Sequence, residues 1–349
     1  MKRDILSYLC CPRDGSPVRL TSDNNREELI KSEELVCSNG HTYPITNSVP
    51  RFLVEEQIDD RQRQTMEVFS TQWRKFGQVT IDETAFAISR KWMFNRYGWR
   101  DEEGVRRFLK DKTMILDAGS ASGRYANYFA TISGNSVFGA EIGEGIEIAQ
   151  ANFGKTENLH FVQASITDLP FMKETFDFIL CDGVLHHTSA PQDTFKKLSG
   201  LLKSDGEIAI YVYHTGNPLR EFTDNLFIEA LSRKSMPKSL AISRTLTELA
   251  QELAESNARV TVPHRLEQLD IDAGEYSLYD LLLWKIIKLH WDPDVTFEKN
   301  WSTNFGWFAP INAFRYTGDE VIDWFNVLGL EILHSDINQG GISIRAKKG

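Results

Sequence analysis

Cysteine is scarce in this 349-residue chain: there are four, and three fall within the first 37 residues. So few, so unevenly placed, do not make a disulfide framework. No signal-peptide pattern follows Met1-Lys2-Arg3, so the expected compartment is a reducing cytoplasm. Positive charge is also short, with 39 Lys and Arg against 49 Asp and Glu and a net charge of −10. A surface that is acidic on average argues against a sequence-independent grip on phosphate backbones. Long apolar runs are missing. The most apolar stretch, Leu281 to Trp291, is broken by Lys285 and Lys288, whereas a membrane span needs about 18 apolar residues. Repeats and low-complexity tracts are absent. Tryptophan is missing between residues 100 and 283, although the chain contains eight. What remains, 41% hydrophobic and 25% charged, is an ordinary globular composition with room for roughly two domains.

Three kinds of writing follow one another along the chain. Residues 1–55 are turn-rich, and Cys10, Cys11, Cys37 and His41 bracket a polar middle. Residues 56–110 carry apolar side chains at helical spacing (Val68, Trp73, Phe76; Phe86, Ile88, Trp92) and read as a helical linker or lid. From 111 onward short apolar runs appear at 114–116, 136–140, 160–162, 178–180 and 208–212, separated by helix-length segments. Short buried strands alternating with helices predict an α/β fold with a parallel, doubly wound sheet. Residues 216–309 read as a largely helical insertion after the fifth sheet strand, interrupted by Pro218, Pro237, Pro263 and Pro293. A helix near 319–326 and strands at 330–333 and 342–344 then close the sheet with a hairpin.

The most informative stretch is Ile115-Leu116-Asp117-Ala118-Gly119-Ser120-Ala121-Ser122-Gly123-Arg124. A strand ends in an acid, and a loop of small residues opens a helix whose free N–H groups can meet a ligand. Such a loop is shared by several nucleotide-binding chemistries. Three later features narrow the choice. Glu141 ends the second strand, where an acid can accept hydrogen bonds from ribose hydroxyls. The third strand leads into Ala164-Ser165-Ile166-Thr167-Asp168, and the fourth into Cys181-Asp182-Gly183-Val184-Leu185-His186-His187. Over residues 112–213 these ordered motifs resemble the class I S-adenosylmethionine (SAM) methyltransferases, above all the ubiquinone-biosynthesis-like group. The resemblance implies a Rossmann-like seven-stranded sheet. It also implies that Asp117, Gly119, Ser120 and Gly123 hold the methionine end of SAM. Glu141 would take the ribose, Ser165 and Ile166 would flank the adenine, and Asp182 would lie beside the cofactor. Ala121 stands in place of the usual middle glycine, a change a methyl group should tolerate.

The amino-terminal segment pairs Cys11-Pro12-Arg13-Asp14 with Cys37-Ser38-Asn39-Gly40-His41. Two such knuckles can set four ligands around a tetrahedral zinc. The segment resembles the small zinc-ribbon-like proteins that activate tRNA methyltransferases, and the knuckle preceding certain rRNA guanine methyltransferases. Asp14 stands where that pattern has cysteine. The ligand set would be Cys11, Asp14, Cys37 and His41, with Cys10 as a substitute, and the zinc would be structural. The alternative is a ribbon that has lost its metal and packs through apolar residues.

A methyl transfer needs an aligned nucleophile, excluded water and, for a hydroxyl, acid or amine, a base. Polar groups just past the strand ends are the candidates: His186, His187, Tyr213 and His214. Each has a bland alternative as a helix cap or packed side chain. Phe69-Ser70-Thr71-Gln72-Trp73 resembles the lid motif of methyltransferases from natural-product and surface-sugar clusters, which brings Trp73 to the cofactor. Trp307-Phe308-Ala309-Pro310 leads to Phe314-Arg315-Tyr316-Thr317, and that last run resembles a segment of the same enzymes. It makes Trp307 and Tyr316 candidate substrate contacts and Arg315 a partner for a carboxylate or phosphate, or else a structural ion pair. The aromatic concentration there suits an apolar or cationic acceptor. The expected function is methyl transfer from SAM to a small-molecule acceptor in a biosynthetic pathway, without nucleic acid or membrane span and with the oligomeric state left open. The rivals are an RNA methyltransferase that docks RNA through its ribbon, and a non-catalytic scaffold on a SAM-binding fold.

Overall fold

The computed structural model describes residues 1–22 and 30–349; residues 23–29, in the polar stretch between Cys11 and Cys37, lie outside it. The amino-terminal part forms an antiparallel sheet in the order β1 (Val18–Leu20), β2 (Glu33–Cys37), β3 (Thr42–Thr46), β4 (Val49–Pro50). Three helices follow: α1 (Asp60–Ile81), α2 (Glu83–Arg96) and α3 (Glu102–Leu109). Each begins where the sequence supplies an aspartate. Asp59, Asp82 and Asp101 accept from free N–H groups in the first turns, as N-caps do.

The alternation expected from residue 111 is present. Strands β5 (Met114–Ala118), β6 (Ser136–Glu141), β7 (Leu159–Gln163), β8 (Phe176–Asp182) and β9 (Leu202–His214) are interleaved with helices α4 (Arg124–Ser133), α5 (Gly145–Phe153) and α6 (Pro191–Ser199). All five residues of β5 are buried, the signature of a strand covered on both faces. After the insertion come β12 (Arg315–Tyr316), α11 (Gly318–Val327), β13 (Leu330–Asn338) and β14 (Gly341–Lys348). The sheet runs β13-β14-β9-β8-β5-β6-β7. Strands β5 to β9 pair in parallel, and the closing hairpin is antiparallel. The short β12 adds a parallel pairing to Tyr213 and His214.

The segment after β9 contains four helices and one short β-ribbon. Helices α7 (Pro218–Ser232), α8 (Met236–Glu255), α9 (Leu278–Lys285) and α10 (Phe297–Phe308) are joined by an antiparallel ribbon of β10 (Arg259–Val262) and β11 (Gly274–Ser277). The β-branched alternation Arg259-Val260-Thr261-Val262 favours a strand over a helix. Within the insertion α10 returns to α1, where Gln72 Nε2 donates to the Ser302 carbonyl and hydroxyl, both at 3.0 Å. Farther along α1, Gln64 donates to the Ala309 carbonyl at 2.9 Å. Together α1 and α10 roof the carboxyl ends of the strands. No helix among the described residues is long and apolar enough to cross a membrane.

The amino-terminal sheet is fused to the edge of the larger one. Past β4, Arg51 bridges in parallel to Gln163 of β7, and Phe52 N donates to the Gln163 carbonyl at 2.8 Å. Cys10 N donates to the Pro170 carbonyl at 2.9 Å, and Met172 N returns a bond to Tyr8. Ile5, Leu9, Leu35 and Tyr43 share one apolar core with Phe138, Val162 and Phe171. The edge strand β7 is thereby covered rather than left with free backbone groups. Because the core is continuous, calorimetry should record a single cooperative melting transition. Leu9→Ala, at a fully buried position, should lower its stability by about 2–5 kcal/mol; separate amino-terminal and carboxyl-terminal transitions would contradict the shared core.

Candidate functional site

Three strands carry acids at or next to their carboxyl ends: Asp117 on β5, Glu141 on β6 and Asp182 on β8. They border a cavity of about 260 Å³. The crevice lies at the carboxyl ends of the strands, where open α/β sheets bind ligands. Gly119, Ser120 and Ala121 of the β5–α4 loop, Ser165 and Ile166 after β7, and Trp73 and Phe69 from α1 complete its walls; Thr303, Gly306 and Trp307 of α10 close the roof.

Each acid is held by its own set of donors. Asp117 Oδ2 accepts from Ala126 N at 3.0 Å, in the first turn of α4. Glu141 accepts from Gly143 N at 2.8 Å and Ala121 N at 3.0 Å. Asp182 accepts from Arg96 at 3.2 Å and from the Tyr97 hydroxyl at 3.0 Å, and Arg96 in turn lies 4.1 Å from the centre of the Tyr211 ring. Burial pushes the Asp117 carboxyl up to about 7, with the nearby Asp182 and Glu141 charges adding to the rise. Burial likewise raises Glu141. The Ser120 hydroxyl is enclosed without a partner among the described residues. An acid-lined cavity with an orphaned hydroxyl suits a ligand that carries positive charge and hydroxyl groups, as SAM does.

The loop backbone has its own demands. Gly119 has φ +86°, and a Cβ there would lie 2.4 Å from Val184. Ala121 also adopts a left-handed conformation, φ +51°. The methyl group fits, but at a backbone cost of roughly 1–2 kcal/mol for an L-residue. Gly123 does not line the cavity. Its φ is +81°, and a Cβ would meet Ala149 and Phe161 at 2.8 and 2.9 Å, so it serves the packing of α4 against α5 and β7.

Of the candidate bases, His187 and Tyr213 line the cavity, whereas His186 and His214 do not. His187 Nδ1 lies 2.5 Å from the Asn312 carbonyl, which assigns the proton to Nδ1 and leaves Nε2 as an acceptor. Burial pulls its pKa down to about 4, so the ring is neutral at physiological pH. His186 is fully buried and stacks on Tyr213 at 3.8 Å, with both ring nitrogens lacking partners among the described residues. It is packed behind the wall. His214 bonds the Asn338 carbonyl at 3.0 Å and faces a different cavity. Burial keeps the Tyr213 phenol protonated by raising its pKa far above the ordinary value; it can donate a hydrogen bond but does not act as a base.

Among the substrate candidates only Trp307 reaches the cavity. Arg315 is held by Glu221 at 2.6 Å, by Asn225 and by the Ala313 carbonyl. That is the structural ion pair, not a free anion receptor. Tyr316 extends the pairing with β9 and packs its ring 4.7 Å from Trp324. Sequence reasoning missed Arg96 and Tyr97, which come from the end of α2 and carried no local signal. It also missed Gln62, Thr65 and Met66 on the cavity face of α1, although the helical spacing there was readable.

The amino-terminal cluster is compact. One ligand atom each from Cys11, Asp14, Cys37 and His41 falls within 4.8 Å of every other. His41 Nδ1 lies 3.4 Å from both Cys11 Sγ and Cys37 Sγ, and 3.2 Å from Asp14 Oδ2. Tetrahedral zinc with bonds of 2.0–2.3 Å separates its ligand atoms by roughly 3.3–3.8 Å. The four residues fit the ion, and Cys10 lies outside the set. All four cysteines of the chain are free thiols.

Strand order, the strand-end acids and the left-handed loop make up a doubly wound α/β core with its crevice at the carboxyl ends of the strands. Residues 116–210 match a family model described as a methyltransferase domain. The chain is 32% identical over 143 residues to a tRNA U34 carboxymethyltransferase from Campylobacter fetus, covering 40% of this chain and 48% of that protein. A Pasteurella multocida ubiquinone/menaquinone biosynthesis C-methyltransferase is 26% identical over 238 residues, 66% of this chain and 85% of the relative. An uncharacterised Synechococcus protein is 34% identical over 107 residues, 29% of this chain and 26% of its own. The chain thus spans about half or less of the length of the Campylobacter and Synechococcus relatives. A solved 1,6-didemethyltoxoflavin-N1-methyltransferase from Burkholderia thailandensis has a TM-score of 0.42 and 13% identity, covering 91% of this chain and 99% of that one.

The strain at the loop has a measurable consequence. Gly119→Ala should cost roughly 2–4 kcal/mol, combining a left-handed alanine with overpacking against Val184. Denaturant titration of the purified variant reads it, and a change below 1 kcal/mol would show that the loop relaxes.

Proposed function

We propose that this chain transfers a methyl group from SAM to a small-molecule acceptor. The observation that carries the reading is the convergence of Asp117, Glu141 and Asp182 on one roofed cavity. Bound there, SAM supplies a methyl carbon on a sulfonium. Asp117, Gly119 and Ser120 would hold its methionine end, Glu141 its ribose hydroxyls, and Ser165 and Ile166 would flank its adenine. Trp73, Trp307 and the α1–α10 roof exclude water, which would compete with the acceptor. His187 Nε2 takes the acceptor's proton as the new bond forms, while Asn312 fixes the ring and its tautomer. Each transfer breaks one carbon–sulfur bond and yields S-adenosylhomocysteine. An enclosed crevice, with no dense Lys/Arg run leading to it, favours a small acceptor over structured RNA. A cytoplasmic location accords with the four free thiols.

Calorimetry with SAM should give one site per chain. Asp117 must be ionised to attract the ammonium and sulfonium charges, and its pKa lies near 7. Affinity is therefore full above that value and declines below it, by about tenfold between pH 8 and pH 6. Asp117→Asn should flatten that dependence. Failure to bind SAM would sink the proposal, and labelled methyl recovered in cellular RNA would overturn its small-molecule half.

The zinc-ribbon reading is proposed separately. Elemental analysis of the purified chain should return about one zinc, lost in Cys37→Ser, and chelation should lower the melting temperature by several degrees. A metal-free chain of unchanged stability would instead favour a ribbon that packs without metal.

A further inference from the structure

A second cavity, of about 320 Å³, shares Tyr213 with the first as a lining residue. Its walls carry Arg220, Asp224, Glu221, Lys285, Lys288 and Trp284. Most of these charges are already matched. Arg220 pairs with Asp224 at 3.2 Å and donates to the Leu283 carbonyl. Glu221 is engaged by the nearby Arg315 at 2.6 Å, and Lys285 by Asp270 at 3.0 Å. Glu267, exposed at the mouth, has no cation partner among the described residues.

Lys288 differs from the other cations. Its side chain is only 13% exposed, yet its nearest carboxylate oxygen is Asp224 Oδ2 at 3.7 Å, and Arg220 already holds that acid. Nζ makes no hydrogen bond among the described residues, although an ammonium offers three donors. It sits 4.2 Å from the centre of the Tyr213 ring and 5.2 Å from that of Trp307. The aromatic faces that would suit a cationic acceptor are thus occupied by the protein's own cation. Burial lowers the Lys288 pKa to about 8, which leaves the group mostly charged at neutral pH. A buried ammonium with free donors, facing a cavity, calls for an anion.

We propose that the second cavity seats the methyl acceptor by an oxyanion, a carboxylate or a phosphate, paired with Lys288 Nζ. The acceptor then lies against Tyr213, with its reactive atom directed past that ring toward His187. This reading rests on the methyl-transfer proposal and adds the charge of the substrate to it. It also moves the anion-binding role from Arg315 to a residue 27 positions earlier.

The test is calorimetry in the presence of S-adenosylhomocysteine, with benzoate, phenyl phosphate, neutral benzamide and cationic benzylamine as probes. In the wild-type chain at least one of the two anions should bind at least tenfold more tightly than benzamide or benzylamine. Lys288→Met should weaken that anion at least tenfold, Lys288→Arg should retain it, and S-adenosylhomocysteine affinity should stay within twofold in all three proteins. Absence of anion binding, equal binding of benzamide, or an unchanged Lys288→Met variant would each overturn the assignment. If S-adenosylhomocysteine fails to bind the wild-type chain, the methyl-transfer reading falls instead, and anion titrations without it still decide the charge of the cavity.

Discussion

Burial of carboxylates at the ends of parallel strands is the constraint around which this structure is arranged. Removing an ionised acid from water is costly unless donors replace the lost solvent. Each of the three acids receives its donors from a different element. The first turn of α4 serves Asp117, the loop entering α5 and the backbone of Ala121 serve Glu141, and the end of α2 serves Asp182. The left-handed loop, the helix starts and the α1–α3 segment therefore have to be where they are for the sheet to end as it does. Asp117 remains only partly compensated, as its raised pKa records, and that deficit is what a cationic ligand would repair.

Much of this was legible because it is local. Each apolar run is short and contiguous, Asp117, Glu141 and Asp182 each close such a run, and the small-residue loop follows Asp117 directly. The closing hairpin and the helix before it were equally plain. What could not be read was placed by contacts across long sequence separations. Arg96 and Tyr97 meet Asp182 from 86 and 85 residues away. Nothing around Arg315 foretold Glu221, 94 residues earlier. Adjacent His186 and His187 look equivalent in the sequence, but only one faces the cavity. The ribbon of β10 and β11 is short, and Pro263 and the flanking helices mask its alternation in the sequence.

The tryptophans illustrate the same division. Their absence from residues 100–283 takes in strands β5 to β9, where small loop residues and close strand packing leave little room for an indole, but also α7, α8 and the β10–β11 ribbon of the insertion. Those outside this span are not all devoted to the site. Trp73 and Trp307 line the first cavity and Trp284 the second. Trp99 packs among Tyr97, Phe108 and Phe178, while Trp324 packs against Phe195 and Tyr316. Trp301 joins Phe76 across the α1–α10 contact. Residue type marked a region; burial and neighbours decided each role.

The amino-terminal sheet covers β7 through backbone bonds and a shared core, and it does so on the same polypeptide. An independent protein making the same contacts would dissociate on dilution and compete with other claimants for that edge. Tethering replaces its bulk concentration with a local one set by the chain itself, of millimolar order for short flexible connections. Cover and core are then synthesised in equal numbers, and the edge strand stays protected at any cellular abundance of the protein.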